Sequence, residues 1–227
     1  MKIKKNPPFP RKEIPFKEIS DSIVDGKRFY HTEAGDFPSV TTVLGCKPSE
    51  YIEQWKENVG EEYAKWTVQE AGRRGSLFHN LVESYLKNEE VVLDSLLKRL
   101  HFMKAKEFFD KNFELIYANE IPLFSKKLRV AGRCDCVAKI NGKNYIVDFK
   151  TAKRKKEHNE IYSYRIQASI YSLMLKEVYG LDVPNFCIII SDTDCNELSV
   201  YYGNRNDGNQ IKDFIALRKF FLKQNNC

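Results

Sequence analysis

An Asn141-Gly142 dipeptide between two strand-like runs constrains this chain more than any other feature. A two-residue hairpin loop of type I′ needs φ > 0 at both central positions, and Asn-Gly is the strongest short-range signal for it. With those two residues as the loop, Ile140 pairs with Lys143, and counting outward places Asp135 opposite Asp148. Lys150, two residues past Asp148, projects from the same face. Two carboxylates and an ammonium therefore meet, with the paired Cβ atoms roughly 5 Å apart. Like charges at that spacing repel and call for a compensating cation. Hard oxygen ligands so close together suit Mg²⁺ or Mn²⁺. The pattern predicts a metal-dependent enzyme.

With 227 residues the chain can bury one substantial core, or at most two small ones. Its net charge of +6 favours a polyanionic partner without requiring one. No apolar run approaches the ~20 residues that a bilayer-spanning helix needs, and no signal peptide is visible, so a cytoplasmic protein is expected. Residues 1–25 begin charged and Pro-rich and read as a flexible arm. Residues 26–227 read as a single domain, with a mainly helical front section over 26–112 and a core over 113–227. The cysteines, at 46, 134, 136, 187, 195 and 227, contain no C-x-x-C pair and read as reduced structural thiols. Cys134 and Cys136 flank Asp135 and are expected to pack inside.

Along the chain, residues 26–30 and 37–44 read as short strands around a turn at 31–36. Apolar residues from 49 to 71 recur at helical spacing, with Gly60 dividing two helices. Gly72-Arg73-Arg74-Gly75 reads as a break, after which Ser76 caps a new helix with an apolar stripe of Leu77, Phe78, Leu81, Val82, Tyr85 and Leu86. A further helix is expected over 93–112, strands over 113–124 and the two hairpin arms, and a helix over 160–179. Strands at 185–191 and 197–202 and a helix at 211–223 complete an α/β domain.

On the Ser76 helix, His79 and Glu83 stand four apart and share a face. The preceding Arg73 and Arg74 would supply anion-binding charge near a helix N-terminus. Lys153-Arg154-Lys155-Lys156, next to Lys150, makes a plausible phosphate clamp, although such a run is more often a solvated face. Gln167 and Tyr171 stand at i, i+4, with Tyr164 one turn earlier, on a helix whose composition alone reads as core with polar edges.

Several short motifs lie in a fixed order: PSVTTVL at 38–44, RGSLFH at 74–79 with Glu83, Glu120, AGRCD at 131–135, DFKT at 148–151, and Gln167 with Tyr171. Together they resemble the PD-(D/E)xK nucleases of the RecB-like branch, and more closely the mitochondrial genome maintenance exonucleases and their phage and bacterial relatives. The resemblance implies a restriction-endonuclease-like core, a central mixed sheet flanked by helices with the catalytic hairpin at its centre. It implies metal ligation by His79, Asp135, Asp148 and the Phe149 carbonyl, with Lys150 positioning or activating the attacking water. Glu83, Glu120, Gln167 and Tyr171 become supporting residues. Arg73, Arg74, Ser76, Arg133, Thr151, Lys153, Arg154, Lys155 and Tyr164 become candidate DNA contacts. The segment from Trp55 to Trp66 is a candidate helical arch over the substrate. Asp148 stands where Glu is commoner. Some members carry a four-cysteine iron–sulfur cluster; Cys46 with Cys187, Cys195 and Cys227 mimics that distribution, but the spacings are loose and a cluster is not expected.

The function expected on these grounds is a Mg²⁺- or Mn²⁺-dependent DNA exonuclease, using one or two ions and preferring single-stranded ends. It is expected to act as a monomer in a bacterial or phage-infected cytoplasm. An endonuclease of the same superfamily and a non-catalytic nucleic-acid-binding module are the alternatives.

Overall fold

The computed structural model describes residues 1–47, 50–194 and 196–225. In chain order the elements are β1 (Lys2–Ile3), β2 (Ser20–Val24), β3 (Lys27–Thr32), β4 (Gly35–Pro38), α1 (Val40–Leu44), α2 (Glu50–Val59), α3 (Glu61–Leu86), β5 (Val91–Val92) and α4 (Leu96–Asn112). Then follow β6 (Phe113–Ser125), β7 (Val130–Ile140), β8 (Lys143–Ala152), α5 (Tyr162–Tyr179), β9 (Asn185–Asp192), β10 (Glu197–Asn204) and α6 (Gln210–Gln224). The central sheet has the order β10-β9-β8-β7-β6. Its strands pair antiparallel except β8 and β9, which run parallel. A parallel pair needs a long crossover, and α5 supplies it.

Both faces of this sheet are covered. Ile146, Ile188 and Ile190 pack on one side with Val40 and Val43 of α1, Ile166, Ile170 and Met174 of α5, and Phe214 and Phe221 of α6. Val147, Phe149, Cys187 and Ile189, alternate residues of the same strands, pack on the other with Phe78, Val82 and Tyr85 of α3 and Phe102 and Phe109 of α4. Burial on both faces explains the continuous apolar run Phe186–Ile190 of β9. The fold is the mixed α/β sheet flanked by helices expected above.

The β7–β8 hairpin forms as counted: Ile140 pairs with Lys143, and Asn141 and Gly142 take φ of 46° and 80°. Three other expectations need correction. Residues 40–44 form helix α1 rather than a strand. Ser39 accepts the Thr42 N–H at 2.9 Å, and this cap, with Val40 and Val43 buried on one side, overrides the strand preference of a β-branched run. Next, Gly60 (φ 84°) separates α2 from α3, but Gly72 and Gly75 break nothing, so α3 runs unbroken past them. Ser76 is therefore a mid-helix residue and no helix N-terminus lies beside Arg73 and Arg74. Each helical glycine costs about 1 kcal/mol relative to alanine, and the burial of Phe78, Leu81, Val82, Tyr85 and Leu86 outweighs it.

Finally, residues 1–25 lie against the body rather than standing free of it. β1 pairs with β5, Ile3 and Phe9 are buried, the Lys12 and Ile14 N–H groups donate to Ile116 O and Tyr117 O, and β2 pairs with β3. The segment is a strap across the strand β6 side of the molecule.

Candidate active site

Turn geometry brings three acidic residues into one row. The loop at 126–129 pairs Ser125 with Val130, and the register then places Glu120, between the pairs Asn119–Cys136 and Ile121–Cys134, opposite Asp135. The Asn141-Gly142 loop continues the row toward Asp148, but the β7–β8 ladder ends at Cys136–Val147. There the Asp135 carboxylate takes over: its Oδ2 accepts the Phe149 N–H at 2.7 Å. The carbonyl of the same residue accepts His79 Nε2–H at 2.8 Å. A carbonyl only accepts, so Nε2 carries a proton, and in the neutral ring the lone pair is on Nδ1. His79 Nδ1 lies 3.7 Å from Asp135 Oδ2.

His79, Glu120 and Asp135 offer ligand atoms that all lie within 4.8 Å of one another. Burial, followed by the charges of Asp135 and Glu83, pushes the Glu120 carboxyl up to about 8. Two carboxylates and one imidazole form a donor set suited to a hard divalent cation. Glu83 also pairs with Lys87 at 2.6 Å. Beside this group Asp148 is fully buried, with Oδ2 2.6 Å from Lys150 Nζ and Oδ1 without a hydrogen-bond partner among the described residues. Burial raises its carboxyl to about 6 against the opposing pull of Lys150. For Lys150, burial acts to lower the pKa, but Asp148 and Asp135 win and the net shift is upward, so the ammonium stays charged. Its Nζ also lies 5.4 Å from the centre of the Tyr164 ring.

Gln167 and Tyr171 support this row from α5. Gln167 Nε2 donates to Tyr171 Oη at 3.1 Å, and both side chains are buried. Tyr171 lies flush on β7 because Gly132 has no side chain: a Cβ there would stand 2.8 Å from Tyr171 Cε1. Gly132→Ala is expected to destabilise the protein by about 1–3 kcal/mol, read as a fall in melting temperature. Adding Tyr171→Leu, which shortens the colliding group, should recover part of that loss; a melt unchanged by Gly132→Ala would contradict the packing described.

The expected DNA contacts scatter more widely. Arg73 is exposed and pairs with Glu70 at 3.0 Å, whereas Arg74 has its Nε buried without a hydrogen-bond partner among the described residues. Ser76 is exposed, and Thr151 at the end of β8 faces α3, its Oγ1 4.0 Å from where a Gly75 Cβ would be. Arg154 makes a double contact with Glu160 at 2.9 and 2.6 Å, and Lys156 approaches the same carboxylate at 3.7 Å. The basic run is thus partly neutralised from within, and Lys153 and Lys155 stand beside that pairing. Arg133 is engaged by protein groups on two sides: Nη1 donates to Glu120 O at 2.8 Å, and Nη2 meets Glu18 Oε2 at 2.7 Å.

Tyr63 and Trp66 are both exposed on α3, their ring centres 5.7 Å apart. Cys134 and Cys136 are fully buried. Cys46 packs at the edge of the α5–α6 core and Cys187 in the α3–α4 core, on opposite sides of the sheet. Cys195 and Cys227 lie outside the described residues. No helix among the described residues is long and apolar enough to cross a membrane.

The geometry adds one residue to the expected ligand set. Glu120, expected only as a supporting residue, stands at ligand distance from His79 and Asp135, whereas Asp148 is turned to Lys150. An outward count from the 126–129 loop reaches it, but only once the structure has shown where that loop closes.

A mixed sheet with this acidic row and its lysine defines a class. Residues 97–186 match the family model of the PD-(D/E)XK nuclease superfamily, so the chain carries a domain of that superfamily. Glu120, Asp135, Asp148, Lys150, Gln167 and Tyr171 fall inside the match, and His79 precedes it. Among curated proteins, the human mitochondrial genome maintenance exonuclease 1 is similar at 24% identity over 170 residues, which is 62% of this chain and 49% of that protein. The chain thus spans about half the length of that relative. A solved structure titled "Crystal structure of SSO0001" matches with a TM-score of 0.47 at 14% identity, over 83% of this chain and 75% of that one.

Proposed function

We propose that this chain is a divalent-metal-dependent deoxyribonuclease that hydrolyses phosphodiester bonds from DNA ends and prefers single strands. The observation that carries the reading is the close meeting of His79, Glu120 and Asp135 beside the Asp148–Lys150 pair. The donor chemistry fits Mg²⁺ or Mn²⁺. Crowded, partly desolvated carboxylates repel until a cation joins them, and the fully buried Asp148 keeps an orphaned oxygen. His79 Nδ1, Glu120, Asp135 and Asp148 would hold one or two ions, and the imidazole donor inclines the site toward Mn²⁺. The Phe149 carbonyl, whose other lone pair serves His79, is available as a further ligand. A bound ion would supply charge for the phosphoryl oxygens and a lowered pKa for water.

The remaining work belongs to the chain. Lys150, kept charged by Asp148 and Asp135, places its ammonium against the scissile phosphate, where negative charge grows, and holds the attacking water. Asp135 Oδ2 accepts the Phe149 N–H and His79 Nε2–H donates to the Phe149 carbonyl, so two candidate ligands are anchored on the backbone of one residue. Lys153 and Lys155 would hold the DNA backbone without reading sequence. The exposed Tyr63 and Trp66 would stack unpaired bases, in the arch expected over 55–66. Trp66 precedes His79 by thirteen residues on one continuous helix, about 20 Å. Tyr164, against Lys150, borders the reacting strand.

In this reading residues 113–227 are the catalytic core and residues 26–112 its front section. Action from DNA ends is favoured by the similarity to the human relative, which is named an exonuclease. The test uses linear and circular single-stranded DNA, labelled separately at each end, in Mg²⁺, Mn²⁺ or EDTA. Metal-dependent loss of the linear strand alone is expected. Cutting of the circle would replace the exonuclease with an endonuclease, and binding without hydrolysis under any divalent ion would overturn the enzymatic reading.

A further inference from the structure

Glu120 takes φ of 51°, in the left-handed region that non-glycine residues rarely occupy and that persists only when surroundings enforce it. The enforcing group is visible. Arg133, two residues before Asp135 on β7, sends Nη1 across to Glu120 O at 2.8 Å. Its other terminal nitrogen is held from outside, at 2.7 Å from Glu18 Oε2 and 3.5 Å from Ile19 O. Glu18 and Ile19 belong to the strap, which reaches the sheet along β6 through the Lys12 and Ile14 amides. A chain of contacts therefore runs from the strap through one guanidinium to the backbone of a candidate ligand.

We propose that Arg133 is a positioning residue rather than a DNA contact: it clamps the Glu120 backbone so that the carboxylate faces His79 and Asp135, and the strap braces the clamp. The proposal rests on reading Glu120 as a ligand. An arginine suits the task because its rigid planar fork offers separate nitrogens to the carbonyl and the carboxylate, where a lysine has one nitrogen on a flexible stem. Groups that orient a metal ligand typically change metal affinity by roughly 10- to 100-fold when removed. A phosphate contact acts elsewhere, on the salt dependence of DNA binding, by about 0.7 in slope per phosphate for single strands.

The experiment separates these roles in the full chain. Mn²⁺ affinity without nucleic acid is measured by calorimetry for the native protein and for Arg133→Ala, Arg133→Lys, Glu18→Gln and Glu120→Gln. Single-stranded DNA binding is followed in EDTA across a salt series. Arg133→Ala should weaken Mn²⁺ binding by about tenfold, and Arg133→Lys by less. Glu18→Gln, which breaks an exposed pair, should weaken it by under about fivefold. The salt slope should not move. If Glu120→Gln weakens Mn²⁺ binding and neither Arg133 variant does, the proposal is wrong while the site stands. If Glu120→Gln leaves Mn²⁺ binding untouched, the assignment of Glu120 itself fails. A slope lowered by about 0.7 with Mn²⁺ affinity intact would make Arg133 a phosphate contact after all. Should Arg133→Ala fail to fold, Arg133→Lys decides.

Discussion

Lys150→Ala is expected to lower metal-dependent hydrolysis by about 10²- to 10³-fold, the usual cost of removing one preorganised group facing transition-state charge. Lys150 sits between the acidic row and Tyr164, and its ammonium is the cation 2.6 Å from the buried Asp148. Two effects follow from its loss. The phosphate loses a fixed positive charge, and Asp148 loses the attraction that opposes its desolvation. The Asp148 carboxyl, already at about 6, then rises further and carries a proton at neutral pH. The sign for stability follows from linkage. A carboxyl whose pKa is higher folded than unfolded stabilises the fold at low pH and loses that contribution as pH rises through the folded value. The variant's melting temperature should therefore match the native protein near pH 4 and fall behind it as pH rises toward 8. Rates are compared in Mg²⁺ and Mn²⁺ at saturating DNA. An unchanged rate would remove Lys150 from the site, and a melting difference that shrinks with rising pH would contradict the Asp148 pairing.

The β7–β8 hairpin was legible because one turn carries its own signature. Asn141-Gly142 dictates a two-residue loop, and strand periodicity then places Asp135, Asp148 and Lys150 without tertiary information. Glu120 was harder to place. Its hairpin closes through residues 126–129, where Arg129 takes φ of 50° without a Gly or Asn to announce it, so no local signal anchors the count. The continuity of α3 was hidden for the opposite reason. Gly72 and Gly75 are breakers by propensity, and only the burial of the next two turns against the sheet makes them tolerable. Charge roles were least legible of all. Arg154 and Arg133 look like a nucleic-acid surface in one dimension, but Glu160 and Glu18 reach them through loop and strap geometry that no periodicity encodes.

Asp135→Asn is expected to cost about 10³-fold in hydrolysis, about 4 kcal/mol of transition-state stabilisation, while leaving the fold intact. The amide is nearly isosteric and its oxygen can still accept the Phe149 N–H, so the anchor that replaces the missing rung of the β7–β8 ladder survives. The charge does not survive. Asp135 is the residue shared by the two halves of the site, within 4.8 Å of the His79 and Glu120 ligand atoms and a cause of the raised pKa of Asp148. Removing its charge should therefore lower the Glu120 pKa from about 8, because Asp135 is its largest cause after burial. Carboxyl NMR in EDTA reads that shift directly, and Mn²⁺ calorimetry reads the loss of a ligand. A structural role alone would leave Mn²⁺ affinity intact and change only the melt. A shared ligand moves the Glu120 titration, the metal affinity and the rate together, and near-native hydrolysis by Asp135→Asn would refute the site.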